Sequence, residues 1–223
     1  MTIGQLNIEG AGTIQIDEGL NLISLADAQL YNRVIQAIRV GIGDKIVYSE
    51  NHQPKALNKV GMFLGDPVGG SDIKSYYSKF IPTILETAIS GERRDKVYHL
   101  SMELQSLLTE EIIDSNLPFR IESEWNLEKI MKSQNITVEK SNVNTIFDKI
   151  EDIVHTMGML NEERYLLLTN LSLYCDMSEL NQLHQCLLAE GINLISLNLS
   201  RENAINDETF KASYIDQDFV LFT

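Results

Sequence analysis

The sequence contains few of the residues and motifs that mark catalytic chemistry or a covalent framework. Its two cysteines, Cys175 and Cys186, form no CxxC motif and indicate no disulfide framework. The four histidines are dispersed and match neither HxxxH nor HExxH, so neither a zinc site nor a catalytic triad is expected. A GxSxG motif is also missing. Nothing in the sequence therefore supports covalent catalysis.

Long apolar segments are missing as well. No run of about 18 apolar residues occurs, so no membrane span is expected. The N-terminal segment MTIGQLNIEG lacks a basic stretch followed by an apolar one, so no secretory signal is expected and a cytoplasmic location is predicted. Hydrophobic residues make up 43% and charged residues 22% of the 223 positions, which is typical of a globular chain with a real core.

Positive charge is scarce and unevenly placed. The chain has 18 lysine and arginine residues against 32 aspartate and glutamate residues, a formal net charge of -14. A uniformly acidic protein repels phosphate, which argues against a broad nucleic-acid surface but leaves room for a local basic patch. The segment 55–96 is the candidate for such a patch, although solvated charge on helix faces and turns is the more common explanation of such residues. Its basic residues are Lys55, Lys59, Lys74, Lys79, Arg93, Arg94 and Lys96.

The pattern of apolar residues predicts an α/β domain interrupted by a helical insertion. Strand and helix signals alternate over the first 70 residues and again from Thr145, where the order strand, helix, strand between Tyr165 and Leu197 indicates a βαβ unit. Thr145 is expected to cap the first helix of this part, Asp176 with Glu179 to cap the next, and Gly191 to end it. Between residues 71 and 133 the apolar spacing is helical, with one stripe from Val97 to Leu108. We expect residues 1–70 and 140–223 to form the α/β domain and residues 71–139 to form an α-helical domain.

The α/β domain has the frame of a nucleotide site without its chemistry. A buried strand, Leu20 to Leu25, runs straight into a helix from Asp27, where phosphate-binding folds place GxxxxGK[ST]. Here the joint has neither glycine nor lysine, and it carries an acid. The strand ending at Asn170 likewise lacks the acid that a nucleotide hydrolase uses to hold magnesium. We therefore predict that no nucleotide is bound.

Acidic residues gather in the helical insertion. Glu111 and Asp114 lie one helical turn apart, so their carboxylates can converge. Hard cations such as calcium prefer several oxygen ligands of this kind. No EF-hand loop is present, and a solvated acidic face accounts for the pattern equally well.

The order of elements resembles the CRISPR-associated spacer-acquisition protein of type II-A systems, in its short form. Three segments carry the resemblance in the second half of the chain: TIFDKIEDIV at 145–154, LNEERYLLLTN at 160–170 and GINLISL at 191–197. The turn FLGD at 63–66, the helical insertion and the overall length agree with it. The resemblance extends over most of the chain and consists of element order and scattered apolar matches.

The resemblance implies a P-loop-ATPase-like head domain with a degenerate nucleotide site, an inserted α-helical leg domain and no enzymatic activity. It also implies a homotetrameric ring that binds free ends of double-stranded DNA without sequence preference, through a basic central channel. Such proteins act beside the CRISPR integrase complex and the RNA-guided nuclease during spacer acquisition. A ring that is acidic outside and basic inside would reconcile the net charge with DNA binding.

Site residues follow from the resemblance only by charge and location. The DNA-binding candidates are the seven basic residues of the segment 55–96. The family holds calcium in its leg domain, and here the stretch before the last leg helix has fewer acids and contains Arg120, so the number of calcium sites stays open. The candidate ligands are Glu111, Asp114, Glu122, Glu124 and Glu128.

Two alternatives remain open. The chain could be a divergent nucleotide hydrolase with an unrecognised loop, although Asp27 would then lie beside the phosphates and repel them. It could also be a protein scaffold of the adaptation complex that makes no contact with DNA.

Overall fold

The chain divides into two compact units. The computed structural model describes residues 2–40, 46–69, 81–121, 124–136, 145–202 and 209–223. The first unit consists of Met1–Ser71 and Ser141–Thr223, and the second consists of Asp72–Lys140. Within the described residues, every strand belongs to the first unit and the second unit is helical. The fold is therefore a mixed α/β fold, as predicted.

Ten strands and seven α-helices are found among the described residues. The strands are β1 (Thr2–Ile8), β2 (Gly12–Asp17), β3 (Leu20–Leu25), β4 (Ile46–Glu50), β5 (Gln53–Lys55), β6 (Gly61–Gly65), β7 (Tyr165–Thr169), β8 (Leu194–Leu199), β9 (Lys211–Ile215) and β10 (Leu221–Phe222). The helices are α1 (Ala28–Val40), α2 (Leu57–Val60), α3 (Ile81–Ala88), α4 (Glu92–Asp114), α5 (Leu127–Ser133), α6 (Ile146–Met159) and α7 (Met177–Glu190).

The larger sheet has the order β10-β9-β3-β8-β7-β6, and all of its pairs are parallel except β10 with β9. Strand β3 is flanked by β8 and β9, in register at Leu22 with Ser196 and with Ala212. Because α7 connects the parallel neighbours β7 and β8, the βαβ unit predicted from the sequence is confirmed. The apolar runs of β3, β7 and β8 are buried on both faces, as parallel strands require.

A second, antiparallel sheet with the order β2-β1-β4-β5 packs on one face of the larger sheet. One cluster of buried side chains joins the two sheets to α1. Its members include Leu6, Ile16, Leu25, Val34, Leu167, Ile195 and Ile215. Helices α6 and α7 pack against one another, and α7 contacts β3, so they cover the opposite face. The first unit is thus layered around its parallel sheet.

Side-chain caps fix the beginnings of α6 and α7. A capping box begins each helix, formed by Thr145 with Asp148 at α6 and by Asp176 with Glu179 at α7. In each box, the side chain of either residue accepts a hydrogen bond from the backbone N–H of the other. Gly191 ends α7 in a left-handed conformation, with φ of 67°. The sequence signals for these boundaries therefore led to the correct elements.

Three elements were not predicted from the sequence. Strand β5 has only three residues and contains Pro54, which its position at a sheet edge tolerates. Helix α2 is a single turn of four residues. Strand β9 begins at Lys211 and forms because it pairs with the buried strand β3 along five positions. The local signals are weak because β5 and α2 have only three and four residues, and because β9 depends on pairing with β3, which is distant in the sequence.

A half-buried carboxylate ties the two sheets together. Glu50 Oε1 on β4 lies 2.9 Å from the Tyr48 hydroxyl and 3.3 Å from the hydroxyl of Tyr165 on β7. The two hydroxyls also hydrogen-bond to one another, and Lys55 forms an ion pair with Glu50 Oε2. Gly4 is needed here, because a Cβ atom at this position would overlap the Tyr48 hydroxyl. The group is a polar contact within an otherwise apolar interface.

The Glu50 contacts predict a pH-dependent contribution to stability. Burial alone would raise the pKa of Glu50, but hydrogen bonds from Lys55, Tyr48 and Tyr165 and the charge of Lys55 lower it overall. A lowered pKa stabilises the fold above the unfolded value of about 4.3, and this contribution is lost as pH falls through the folded value. We expect Glu50→Gln to lower the free energy of unfolding by about 1–2 kcal/mol at pH 7.

Urea unfolding of the wild type and the variant between pH 7 and pH 3 measures this difference. The gap between the two proteins should shrink as the solution becomes more acidic. Glu163→Gln, at an exposed position, is the matched control and should show no such gap. A gap that is constant with pH would contradict the account.

Candidate functional site

The joint between β3 and α1 leaves no room for a phosphate loop. Only Ala26 and Asp27 separate the two elements. The Ala26 N–H donates to the Ile215 carbonyl at 2.9 Å, and the Leu30 N–H donates to Asp27 Oδ1 at 2.6 Å. The Asp27 carboxylate therefore caps α1. It accepts a hydrogen bond from a backbone N–H at the helix N-terminus, where a nucleotide phosphate would otherwise bind.

The carboxyl ends of β7 and β8 carry amides and hydroxyls that satisfy one another. Asn170 Oδ1 accepts hydrogen bonds from the Tyr31 hydroxyl and the Leu199 N–H, both at 3.3 Å. Asn198 is buried, and its Oδ1 accepts from the Ser196 hydroxyl at 3.2 Å and from the Ser172 N–H at 3.4 Å. Sequence reasoning missed this group, although polar residues inside the buried strand β8 were a signal for it.

The two basic candidates in the first unit have different surroundings. Lys55 is paired with Glu50, so part of its charge is already neutralised within the first unit. Lys59 is exposed on α2 and has no acidic partner among the residues that the structure describes. Lys59 is therefore better suited than Lys55 to contact a phosphate.

The basic candidates in the second unit lie together on α4. Arg93, Arg94 and Lys96 fall within its first two turns, and all three are exposed. The guanidinium carbon of Arg94 lies 5.6 Å from the centroid of the Trp125 ring. The other two predicted residues of this set, Lys74 and Lys79, lie outside the described residues.

The four acidic candidates that the structure describes do not converge within one chain. Glu111 and Asp114 are exposed near the C-terminal end of α4, and Glu111 Oε1 accepts a hydrogen bond from the Ser115 hydroxyl at 2.7 Å. Glu128 pairs with Lys132 at 2.6 Å, Glu124 is exposed, and Glu122 lies outside the described part of the chain. Over that part, no three side chains of the metal-binding types form a site. The described carboxylates therefore form no calcium site within one chain.

The two thiols are poorly suited to act as nucleophiles. Burial, followed by the charges of Glu179 and Asp176, raises the pKa of the Cys175 thiol to about 12. Burial and the nearby carboxylates of Glu151 and Glu190 also raise the pKa of Cys186. Both groups are protonated at neutral pH, and a thiol reacts mainly as its thiolate.

Helix α4 exposes an apolar face that no described residue of its own chain covers. The helix has 23 residues and none of them is buried. Its leucines follow a spacing of three and four residues, which places them on one face. The apolar stripe consists of Leu100, Leu104, Leu107 and Leu108, with exposures of 57%, 57%, 58% and 49%. Such a contiguous surface is typical of a protein–protein contact.

Comparison with known proteins identifies the family. The model of the CRISPR-associated protein family Cas_Csn2 matches residues 43–219, about four fifths of the chain. The chain therefore belongs to the Cas_Csn2 family of CRISPR-associated proteins, which confirms the resemblance noted from the sequence. A comparison with curated proteins found no match. Among the helices that the structure describes, none has the length and apolar content that crossing a membrane requires.

The cap at Asp27 can be tested by its effect on stability. We expect Asp27→Ala to lower the free energy of unfolding by about 1 kcal/mol, because the first turn of α1 loses its side-chain acceptor. Thermal and urea unfolding measure the change. Asp218→Ala, at an exposed position in a loop, removes the same charge and should be nearly neutral. Equal destabilisation of both variants would show that Asp27 is not a cap of this strength.

Proposed function

We propose that the protein is a non-catalytic DNA-binding ring of the type II-A CRISPR adaptation machinery. Four copies enclose the end of a double-stranded DNA and contact its backbone without reading its sequence. The ring acts during spacer acquisition, beside the integrase complex and the RNA-guided nuclease of the same system. Membership of the Cas_Csn2 family supports the CRISPR-associated role.

The observation that carries the proposal is the apolar stripe of α4. Burying a leucine contributes about 1.5–3 kcal/mol when it is complete, so covering four half-exposed leucines contributes several kcal/mol. A second copy of the chain is the simplest partner, since a symmetric contact supplies a matching apolar stripe. Self-association through α4, together with a further contact between head units, would close a ring.

Symmetry explains how an acidic chain binds DNA. Each copy needs only a few exposed cations, because a ring repeats them around the duplex. The described residues best placed for this role are Lys59 on α2 and Arg93, Arg94 and Lys96 on α4. Contacts of this kind go to phosphate and sugar, so they position the protein without specifying a sequence.

The first unit supports a P-loop-ATPase-like head that has lost its nucleotide site. Strand β3 lies inside the parallel sheet and leads directly into α1, where such folds bind phosphate. The two-residue joint and the carboxylate of Asp27 remove both the space and the charge that phosphate needs. We therefore propose that the head is structural and binds no nucleotide.

Binding to DNA of different topology tests the proposed function. We expect the protein to shift a linear duplex in a gel and to leave a closed circular duplex of the same sequence unbound, because a closed circle offers no end for a ring to enter. The affinity should fall steeply between 50 mM and 200 mM salt, since phosphate contacts release counterions. A linear duplex whose two ends are blocked by bound streptavidin is the control and should stay unbound.

Equal binding to the linear and the circular duplex would contradict the ring. The absence of binding to either at low salt would instead favour a protein scaffold without DNA contact. Measurable ATP binding or hydrolysis would favour a divergent nucleotide hydrolase and contradict the structural head.

The apolar stripe predicts a variant that cannot assemble. We expect the double substitution of Leu104→Lys and Leu108→Lys to lower the molar mass in solution, because a charge at these positions cannot be buried against a second copy. Sedimentation velocity measures the mass, and circular dichroism checks that the helices are retained. The variant should also lose most of its affinity for linear DNA.

Ile113→Lys provides a matched control, because Ile113 is 69% exposed on the same helix but lies off the stripe. This variant should assemble like the wild type. If the stripe variant keeps the mass of the wild type, the apolar stripe is not the contact between copies.

The calcium dependence implied by the family is a separate part of the proposal. Since the described carboxylates do not form a site in one chain, any calcium site would need residues of a second copy or the segment around Glu122. Sedimentation in calcium and in a chelator tests this. We expect assembly to weaken in the chelator and in a variant with Glu111→Gln and Asp114→Asn. An identical mass in all conditions would exclude a calcium requirement for assembly.

A further inference from the structure

Arg94 is distinguished from its basic neighbours by an aromatic platform. Its guanidinium carbon lies 5.6 Å from the centroid of the Trp125 ring, within the range of a cation–π interaction. Tyr98, one turn further along α4, contacts the same ring edge-on, with centroids 5.4 Å apart and an interplanar angle of 81°. Across the described residues, no such platform is found for Arg93 or Lys96.

The platform is held in place by elements on both sides. Trp125 directly precedes Asn126, the N-cap of α5, whose side chain accepts a hydrogen bond from the Lys129 N–H at 2.8 Å. The first residue of α5, Leu127, is 1% exposed and anchors this helix in the second unit. The indole position is therefore fixed by α5, while Arg94 is fixed by α4. Their interaction joins two elements that are separate in the sequence.

The interaction uses the face of the indole ring. Trp125 Nε1 is buried and has no hydrogen-bond partner among the described residues. The contact with Arg94 therefore does not depend on a hydrogen bond of the indole N–H to one of these residues. The ring face carries the negative part of the aromatic quadrupole and attracts a cation. Trp125 therefore supplies a surface on which a guanidinium group can stack.

The cation–π contact prepares Arg94 to bind a phosphate. A guanidinium group has all its N–H donors in its own plane, so a ring that contacts it leaves its edges available for the paired oxygens of a phosphate. Because the ring restricts the Arg94 side chain before binding, less rotamer entropy is lost when the phosphate binds. Arg94 is exposed, and none of the described carboxylates forms an ion pair with it.

We propose that Trp125 is a positioning residue for DNA binding, which holds the Arg94 guanidinium ready for a backbone phosphate. This inference rests on the proposed function, because it assigns the phosphate contact of the ring to one arginine and its platform. It also ranks the cations of α4: Arg94 contributes more to DNA affinity than Arg93 or Lys96, although all three are exposed in the same two turns.

A double-mutant cycle separates positioning from a structural role. We expect Trp125→Leu, which keeps apolar bulk but removes the ring, to weaken binding of linear DNA about two- to fivefold per site. Arg94→Gln should weaken it further and reduce the salt dependence by about 0.9 in slope for each phosphate that is no longer neutralised. In the Arg94→Gln background, Trp125→Leu should have no additional effect on affinity.

Three further variants serve as controls. Trp125→Phe keeps an aromatic face and should retain most of the affinity. Arg93→Gln removes the same charge one residue away and should weaken binding less than Arg94→Gln. Arg33→Gln, on α1 of the first unit, should leave DNA binding unchanged. Molar mass and thermal unfolding of each variant confirm that assembly and folding are retained.

Trp125 also provides a direct spectroscopic readout, because it is the single tryptophan of the chain. Addition of linear duplex should change the tryptophan emission of the wild type, since a phosphate at Arg94 alters the charge above the ring. The Arg94→Gln protein should show little of this change at saturating DNA. This signal does not depend on the size of the affinity change.

The outcomes distinguish this inference from the proposed function. If the wild type binds linear DNA but Trp125→Leu weakens binding equally with and without Arg94, the ring has only a structural role and the inference is wrong. It is also wrong if Arg93→Gln weakens binding as much as Arg94→Gln. If the wild type does not bind linear DNA at all, the proposed function itself fails, and the inference fails with it.

Discussion

Helix α4 has an apolar face that the described part of its own chain does not cover. Of its 23 residues none is buried, and its leucines lie side by side on one face. Exposure of such an apolar surface to water is unfavourable, and covering it with a second apolar surface lowers the free energy of the chain. In the proposed ring, assembly would follow from how the second unit is built. The DNA-binding proposal depends on it, because only repetition by symmetry gives an acidic chain enough local positive charge.

In the first unit, the joint between β3 and α1 and the carboxyl ends of β7 and β8 have structural roles. Strand β3 retains its place between two parallel neighbours, which its buried apolar side chains stabilise. The joint after β3 has two residues, and the Asp27 carboxylate caps the helix that follows. At the carboxyl ends of β7 and β8, amide and hydroxyl groups hydrogen-bond to one another. The polar groups of this edge stabilise the fold.

Local patterns in the sequence were enough for the central elements. The continuous apolar runs of β3 and β7 indicated buried parallel strands, and Asp176 with Glu179 indicated where α7 begins. Strand β9 was missed because its stability comes from pairing with β3 rather than from its own pattern. Contacts between residues distant in the sequence were missed for the same reason. The residues around Glu50 do not predict its hydrogen bond with Tyr165, and those around Arg94 do not predict its contact with Trp125.

Native mass spectrometry of the protein mixed with a short linear duplex tests the central claim most directly. The mass reports how many chains assemble and how many duplexes they hold, without relying on any substitution. We predict a species of four chains carrying one duplex, which releases its DNA before its subunits as ionic strength rises. A protein that stays monomeric, or chains that bind DNA one at a time in proportion to its length, would contradict the account.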